Sequence, residues 1–165
     1  MGKRVNKRRK AFKRKVIEIP QTKSGIETLN NPCDICGGHV IYTDNKILYK
    51  ESKGLGVCYY CEDCHASVMC NKSKKEYLPD GTQIYAPLGI IADKESRQLR
   101  LRCHQILDSK WRIQRTMKRS TAYHKLAKGM GIPFENCHFA WMNEEQLSYA
   151  LEVLTMTEWT RNRFD

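Results

Sequence analysis

Two cysteine pairs constrain this chain more than any other feature. "NPCDICGGHV" (31–40) holds Cys33 and Cys36, and "YYCEDCHASV" (59–68) holds Cys61 and Cys64, with 24 residues between the two pairs. A Cys-x-x-Cys turn directs backbone N–H groups at the first sulfur and grips a metal from one tight bend. Gly37 and Gly38 ease that bend after the first pair. Two such knuckles supply four soft thiolates, the donor set of tetrahedral structural zinc. The expectation is one structural Zn2+ held by Cys33, Cys36, Cys61 and Cys64. The separation is longer than in a common zinc ribbon, and an extra hairpin in "YTDNKILYKESKGLG" is expected to take it up.

Other uses of the cysteines fit less well. A disulfide scaffold needs an oxidising compartment. The N-terminal "MGKRVNKRRKAFKRKV" is charged but has no apolar stretch behind it, so it does not read as a secretory signal. A cytoplasmic location is expected, the host cytoplasm if a phage encodes the chain. A thioredoxin-like redox pair would head a helix in a βαβ unit, and neither pair has that setting. An iron–sulfur cluster also takes four cysteines, but ribbon-like flanking strands favour zinc. If "VCYYC" is a strand, Cys58 and Cys61 face opposite ways and do not share a metal. Cys70, His39 and His65 are reserve ligands, and whether Cys58 or Cys70 replaces a member of the set stays open. Cys103 and Cys137 read as core thiols.

Charge bears on partners. The 165 residues carry +11, and residues 1–15 alone carry +9. Lys3, Arg4, Lys7, Arg8, Arg9, Lys10, Lys13, Arg14 and Lys15 make this a self-repelling arm, expected to be disordered alone and suited to polyanions. Basicity therefore reads as a property of the arm. Lys72, Lys74 and Lys75, in a loop beside the second knuckle, would add phosphate contacts, and Tyr59, Tyr60 or Trp111 would stack on bases. No apolar run of membrane-spanning length occurs, and Asn6 breaks the myristoylation pattern after Gly2. The expected partner is nucleic acid, DNA or RNA, with a host protein as the alternative and no membrane.

The expected fold class is α+β: a basic N-terminal arm (1–15), a zinc-ribbon-like β module with its connector (16–92), and a C-terminal three-helix module (93–165). "HVIY" and "VCYY" read as strands, and "LPDGTQIYAPLGIIAD" reads as a connector punctuated by Pro and Gly. The first long helix is predicted from Asp93 to Met117. Leu99, Cys103, Ile106, Leu107, Ile113 and Met117 share its apolar side, with Trp111 at the edge. A second helix starts near Ser120 and stops at Gly129 or Gly131, before Pro133. A third starts after Asn143, whose capping box with Gln146 is flanked by a Met142–Leu147 staple.

Catalysis has one weak foothold. His104 and Asp108 lie at i and i+4 on the long helix, beside Arg97, Arg100, Trp111 and Arg115. An Asp can orient a histidine and raise its pKa. With His138, and His124 further off, this suits metal-independent phosphodiester cleavage. No nuclease motif and no carboxylate cluster for Mg2+ accompanies it. The reading that takes precedence is that His104, Asp108 and Trp111 lock the long helix to the C-terminal helices.

Six stretches in order, "CDICGGHV", "YYCEDCHASV", "PLGIIAD", "LRLRCHQILDSKW", "RSTAYHKLAKGMGI" and "CHFAWMNEEQL", resemble the small zinc-finger-containing proteins of bacteriophages, prophages and some bacteria. The resemblance covers about residues 32–155. It implies that Cys33, Cys36, Cys61 and Cys64 are zinc ligands. Its pattern includes His104, Asp108, Trp111, Cys137 and His138. "CHFAWM", with Ala140, departs from a glycine-containing stretch in relatives. The resemblance implies a fold and a provenance, and no reaction.

Overall fold

A computed structural model describes residues 23–113 and 117–156. The arm residues from Lys3 to Lys15, and Arg115, lie outside the described residues. The chain forms two compact units, a ribbon unit at Thr22–Glu95 and a helical unit from Ser96 onward.

The ribbon unit opens with a short helix, α1 (Gly25–Asn30). Ser24 caps it. Its hydroxyl accepts from the Glu27 N–H at 3.0 Å, and the Glu27 carboxylate accepts from the Ser24 N–H at 2.8 Å. This capping box satisfies end donors that a helix cannot bond internally. Four antiparallel strands follow: β1 (Val40–Asp44), β2 (Val57–Cys61), β3 (Ser67–Tyr77) and β4 (Gln83–Pro87), ordered β1-β2-β3-β4. Opposed pairs include Val40 with Cys61, Tyr42 with Tyr59, and Tyr59 with Val68. Side chains alternate across a pleated strand, so Val40, Tyr59, Cys61, Val68 and Cys70 gather in one buried cluster. The Tyr42 and Tyr59 rings meet edge to face at 5.2 Å, and the Tyr59 hydroxyl donates to the Tyr85 carbonyl at 2.6 Å.

Four expectations change here. The long insert is not an extra hairpin: β1 runs into a 3-10 turn at Asn45–Ile47. Asn45 is fully buried and makes the insert a closed loop. Its amide donates to the Lys53 carbonyl at 2.6 Å, and its side-chain oxygen accepts from the Lys53 N–H at 3.1 Å. The connector contains a strand, β4, which pairs with β3 as a hairpin. Lys72, Lys74 and Lys75 lie on β3 and not in a loop. The register slips between Cys70 and Lys75, so the strand bulges there and displays exposed lysines. Tyr59 and Tyr60 are buried within the unit and offer no stacking surface.

The helical unit follows its apolar periodicity. α2 (Lys94–Ile113) turns Cys103 and Leu107 into the core, with Leu99, Ile106 and Trp111 packed against it. Residues 114–116 and the Ile113 side chain lie outside the described residues. α3 (Arg119–Met130) ends at Gly131, whose φ of 71° is the left-handed conformation that closes a helix. Two 3-10 turns, Phe134–Asn136 and Phe139–Trp141, lead to α4 (Glu144–Thr155). The Asn143–Gln146 capping box forms as the sequence predicts, and Met142 and Leu147 are both fully buried. Cys137 and Cys103 are core thiols with no exposure, and burial pushes them up to about 12 and about 11 respectively.

Candidate metal centre

Each knuckle is fixed by its own backbone. The Cys33 N–H donates to the Gly38 carbonyl at 2.9 Å, and the Gly37 N–H to the Cys33 carbonyl at 2.8 Å. The second knuckle repeats both bonds: Cys61 to Ala66 at 2.8 Å, and His65 to Cys61 at 3.0 Å. Both need a left-handed residue after the second cysteine. Gly37 takes it freely at φ 76°, and His65 takes it at φ 63°. The Tyr60 hydroxyl meets the His65 Nδ1 at 2.5 Å, and the two rings stack at 5.7 Å. That packing holds a side chain at a position that otherwise favours glycine.

The knuckles are also tied to each other. The His39 N–H donates to the Asp63 carboxylate at 3.0 Å, and the Glu62 N–H donates to the His39 carbonyl at 3.1 Å. A Cβ on Gly38 would collide with the Asp63 carboxylate, so glycine is required for this approach.

These constraints place the Cys33, Cys36, Cys61 and Cys64 sulfurs all within 4.8 Å of one another. Cys36 and Cys61 are 3.5 Å apart, and Cys33 and Cys64 are 3.7 Å apart. A zinc–sulfur bond of about 2.3 Å in a tetrahedron sets sulfurs about 3.8 Å apart, close to these two separations, so the donor set suits tetrahedral zinc. Among the described residues this is the one group of His, Cys, Asp and Glu with such geometry.

Backbone dipoles prepare the thiolates. Burial pushes the Cys61 thiol up, but the N–H groups of Cys64 and Asp63 and the facing thiols outweigh it and bring it down to about 7. Burial raises Cys33, against the N–H groups of Cys36 and Ile35. Cys64 is pushed up to about 12 by burial and by its thiol neighbours, against the Ala66 N–H. The Gly38 N–H lies 3.3 Å from the Cys36 sulfur. N–H donors on each sulfur lower the cost of gathering four anions around one cation.

The reserve ligands point elsewhere. His39 is paired with Glu62 at 2.8 Å, and His65 is held by Tyr60. Cys58 is buried on β2 away from the four thiols, and its pKa is raised by burial and by Asp44. Cys70 is pushed up to about 12 by burial, which outweighs the opposing effect of the Tyr42 side chain.

The model of a family described as a zinc-finger-containing domain matches residues 29–157. The chain belongs to that family. The match spans both units, so the helices are part of the family's domain. No curated protein and no solved structure matches the chain.

The weak catalytic candidates lie in the helical unit and do not form a histidine–acid pair. The Asp108 carboxylate accepts from the Trp111 indole at 2.8 Å and lies 3.7 Å from Arg119. His104 Nδ1 faces the Tyr123 hydroxyl at 3.4 Å, and its ring meets Phe139 edge to face at 4.8 Å. The His138 ring lies 6.5 Å from that of Tyr123, while His124 stacks on Phe134 at 3.6 Å. Tyr123 lies between His104 and His138, and no spacing in the sequence marks it.

Proposed function

We propose that this zinc-finger protein binds nucleic acid, with the basic arm supplying most of the affinity and the ribbon displaying additional lysines. The observation that carries the reading is the charge of residues 1–15, +9 with no acid, on a chain whose four thiols gather as a zinc site. The bulged strand β3 adds exposed Lys72, Lys74 and Lys75. Such contacts follow a phosphate backbone without reading bases. The resemblance noted in the sequence supports a bacteriophage or prophage setting and the host cytoplasm. Among the described residues, no helix is long and apolar enough to cross a membrane.

Affinity measured against salt, on single- and double-stranded DNA and RNA, tests this. Removing residues 1–15 should weaken binding to every polyanion and flatten the slope. Each lost phosphate contact removes about 0.7–0.9 from the log–log slope. Equal affinities and slopes with and without the arm would remove it from the mechanism.

One observation favours a second reading, a zinc-ribbon adaptor on a host protein such as transcription or translation machinery. The knuckles carry Asp34, Glu62 and Asp63 and an Ile35 that is 45% exposed. Those groups suit a protein surface better than a phosphate backbone. A complex recovered from cells would survive nuclease treatment on this reading and dissolve on the first. The nuclease alternative rests on His104 and Asp108, whose facing partners are Tyr123, Trp111 and Arg119.

A further inference from the structure

Charge in this chain is concentrated in two places. Residues 1–15 carry +9, and the stretch from Arg97 to Lys128 holds ten Lys or Arg and one acid, Asp108, for another +9. The rest of the chain carries −7, which hides the second block in the total of +11. The expectation that basicity belongs mainly to the arm is therefore incomplete.

The lone acid of that stretch is used for positioning. Asp108, on α2, accepts from the Trp111 indole at 2.8 Å and pairs with Arg119, the first residue of α3, at 3.7 Å. The Arg119 guanidinium lies over the Tyr123 ring at 5.4 Å, and that of Arg112 lies over Trp111 at 5.3 Å. The Tyr123 hydroxyl lies 3.4 Å from the Nδ1 of His104, which is itself set against Phe139. The Arg119 side chain remains 57% exposed.

A single arginine on an aromatic ring is common surface packing. Two such pairs sharing one carboxylate, inside a stretch of net +9, form a surface with a chemistry. A guanidinium held over an aromatic ring is weakly hydrated and kept at the surface. Its edge presents N–H donors to a phosphate, and its open plane accepts an unstacked base. Bases in a duplex are not available for such stacking.

We infer that the surface formed by Trp111, Arg112, Arg119 and Tyr123 binds single-stranded nucleic acid, with the guanidinium N–H groups on phosphates and the planar groups on bases. Asp108 is a positioning residue there. The inference rests on the nucleic-acid reading above and places a second contact outside the arm and the ribbon.

The test uses the full chain, zinc-loaded, with short oligo-dT and oligo-U strands and a duplex of equal length, titrated over a range of salt. Arg112→Gln with Arg119→Gln should lower single-strand affinity about tenfold or more at low salt and reduce the slope by about 1.4, two contacts' worth. Arg119→Lys keeps the charge and loses the plane. It should preserve the slope and weaken single-strand binding about fivefold or more, the lower end of a lost stacking contact. Lys46→Gln with Lys50→Gln removes the same charge from exposed ribbon positions and should change little. If the arginine pair behaves like wild type, or no differently from the Lys46/Lys50 pair, the inference fails while the proposed function stands. If the wild-type chain binds no strand at all, both fail. Arg112→Gln alone, which leaves the Asp108–Arg119 pair intact and removes one contact of the surface, decides the matter should the first variant melt early. Wild-type affinity and slope in that variant would overturn the inference.

Discussion

The two units solve the folding problem by different means. The ribbon unit gathers its knuckles around four thiols, and its apolar cluster is small and rich in cysteine and tyrosine. The helical unit has a core of leucine, methionine, phenylalanine and alanine, closed by a capping box and a left-handed glycine. Their charges differ too. Thr22–Glu95 holds eight Lys and ten Asp or Glu, whereas residues 96–156 hold ten Lys or Arg and five Asp or Glu. The ribbon therefore depends on coordination chemistry and carries an acidic balance. The helical unit depends on packing and carries a positive balance, held on α2 and α3. A small sheet with few large apolar residues gains most of its order from the cross-link, and a three-helix core needs no metal.

The largest test of that contrast is Cys61→Ser. It removes a fully buried ligand that receives N–H donors from Cys64 and Asp63. Structural zinc contributes about 10–16 kcal/mol of binding free energy in small zinc folds. The variant should purify with little or no zinc, and the ribbon's NMR amide dispersion should collapse while the helical unit's amides keep their positions. A chelator should do the same to wild type. Full zinc content, or simultaneous loss of both sets of amides, would dissolve the distinction between the units.

The reciprocal change is Leu147→Ala. Leu147 is fully buried beside Met142 at the start of α4. Truncation there should cost about 2–5 kcal/mol, lost contacts plus a cavity. Denaturant unfolding followed through the helical unit should show that loss, and metal analysis should still find one zinc per chain. A fall in zinc content would mean that the ribbon depends on helical packing.

Legibility in the sequence divides along the same physical line. The four ligands, the three helices, the Asn143 box and the Gly131 stop were readable because each signal is local. They are a fixed spacing, a period, or a cap within three residues. α1 was missed although Ser24 and Glu27 form a capping box, because six residues give too little apolar periodicity to recognise. β4 was missed because Pro87 and Gly81 read as punctuation, and its pairing with β3 is a tertiary fact. The burial of Tyr59 and Tyr60 depends on what covers each face of the sheet, which no local pattern states. Helical spacing makes Asp108 a partner for His104. The structure sends its carboxylate to Trp111 and Arg119, and the Arg119 contact crosses to another helix.

Gly25→Ala sharpens the comparison from within the ribbon. A Cβ at Gly25 would collide with the Tyr59 hydroxyl and lie 2.8 Å from the Ile84 side chain. Tyr59 cannot yield readily, since it is fully buried and its hydroxyl bonds to Tyr85. The expected cost is about 1–3 kcal/mol of overpacking, with zinc retained. A thermal melt of zinc-loaded protein measures it. No change in melting would show that the α1 contact is dispensable and that the metal alone holds the unit. Loss of zinc would show that α1 packing and the metal site are one cooperative structure.

The smallest effect is one of pH, and it belongs to the helices. Burial holds His104 below the ordinary imidazole pKa, with Asp108 pulling it up and Arg119 and Arg100 pushing it down. In the unfolded chain the ring returns to its ordinary value, about 6.5. As pH falls, the unfolded state therefore takes up the proton first. The contribution of neutral His104 is complete above about pH 6.5 and is lost progressively as pH falls below it toward the depressed folded value. The helical unit should thus melt at a lower temperature at about pH 5 than at about pH 7. His104→Gln keeps a polar group beside Tyr123 but does not titrate, so its curve should be flatter over that interval even if lower throughout. Zinc thiolates are also acid-sensitive, so the melt must be followed through α3 and α4 amides and not by total ellipticity. Parallel curves for wild type and His104→Gln would assign the pH dependence to other groups and leave His104 a purely steric part of the Phe139 contact.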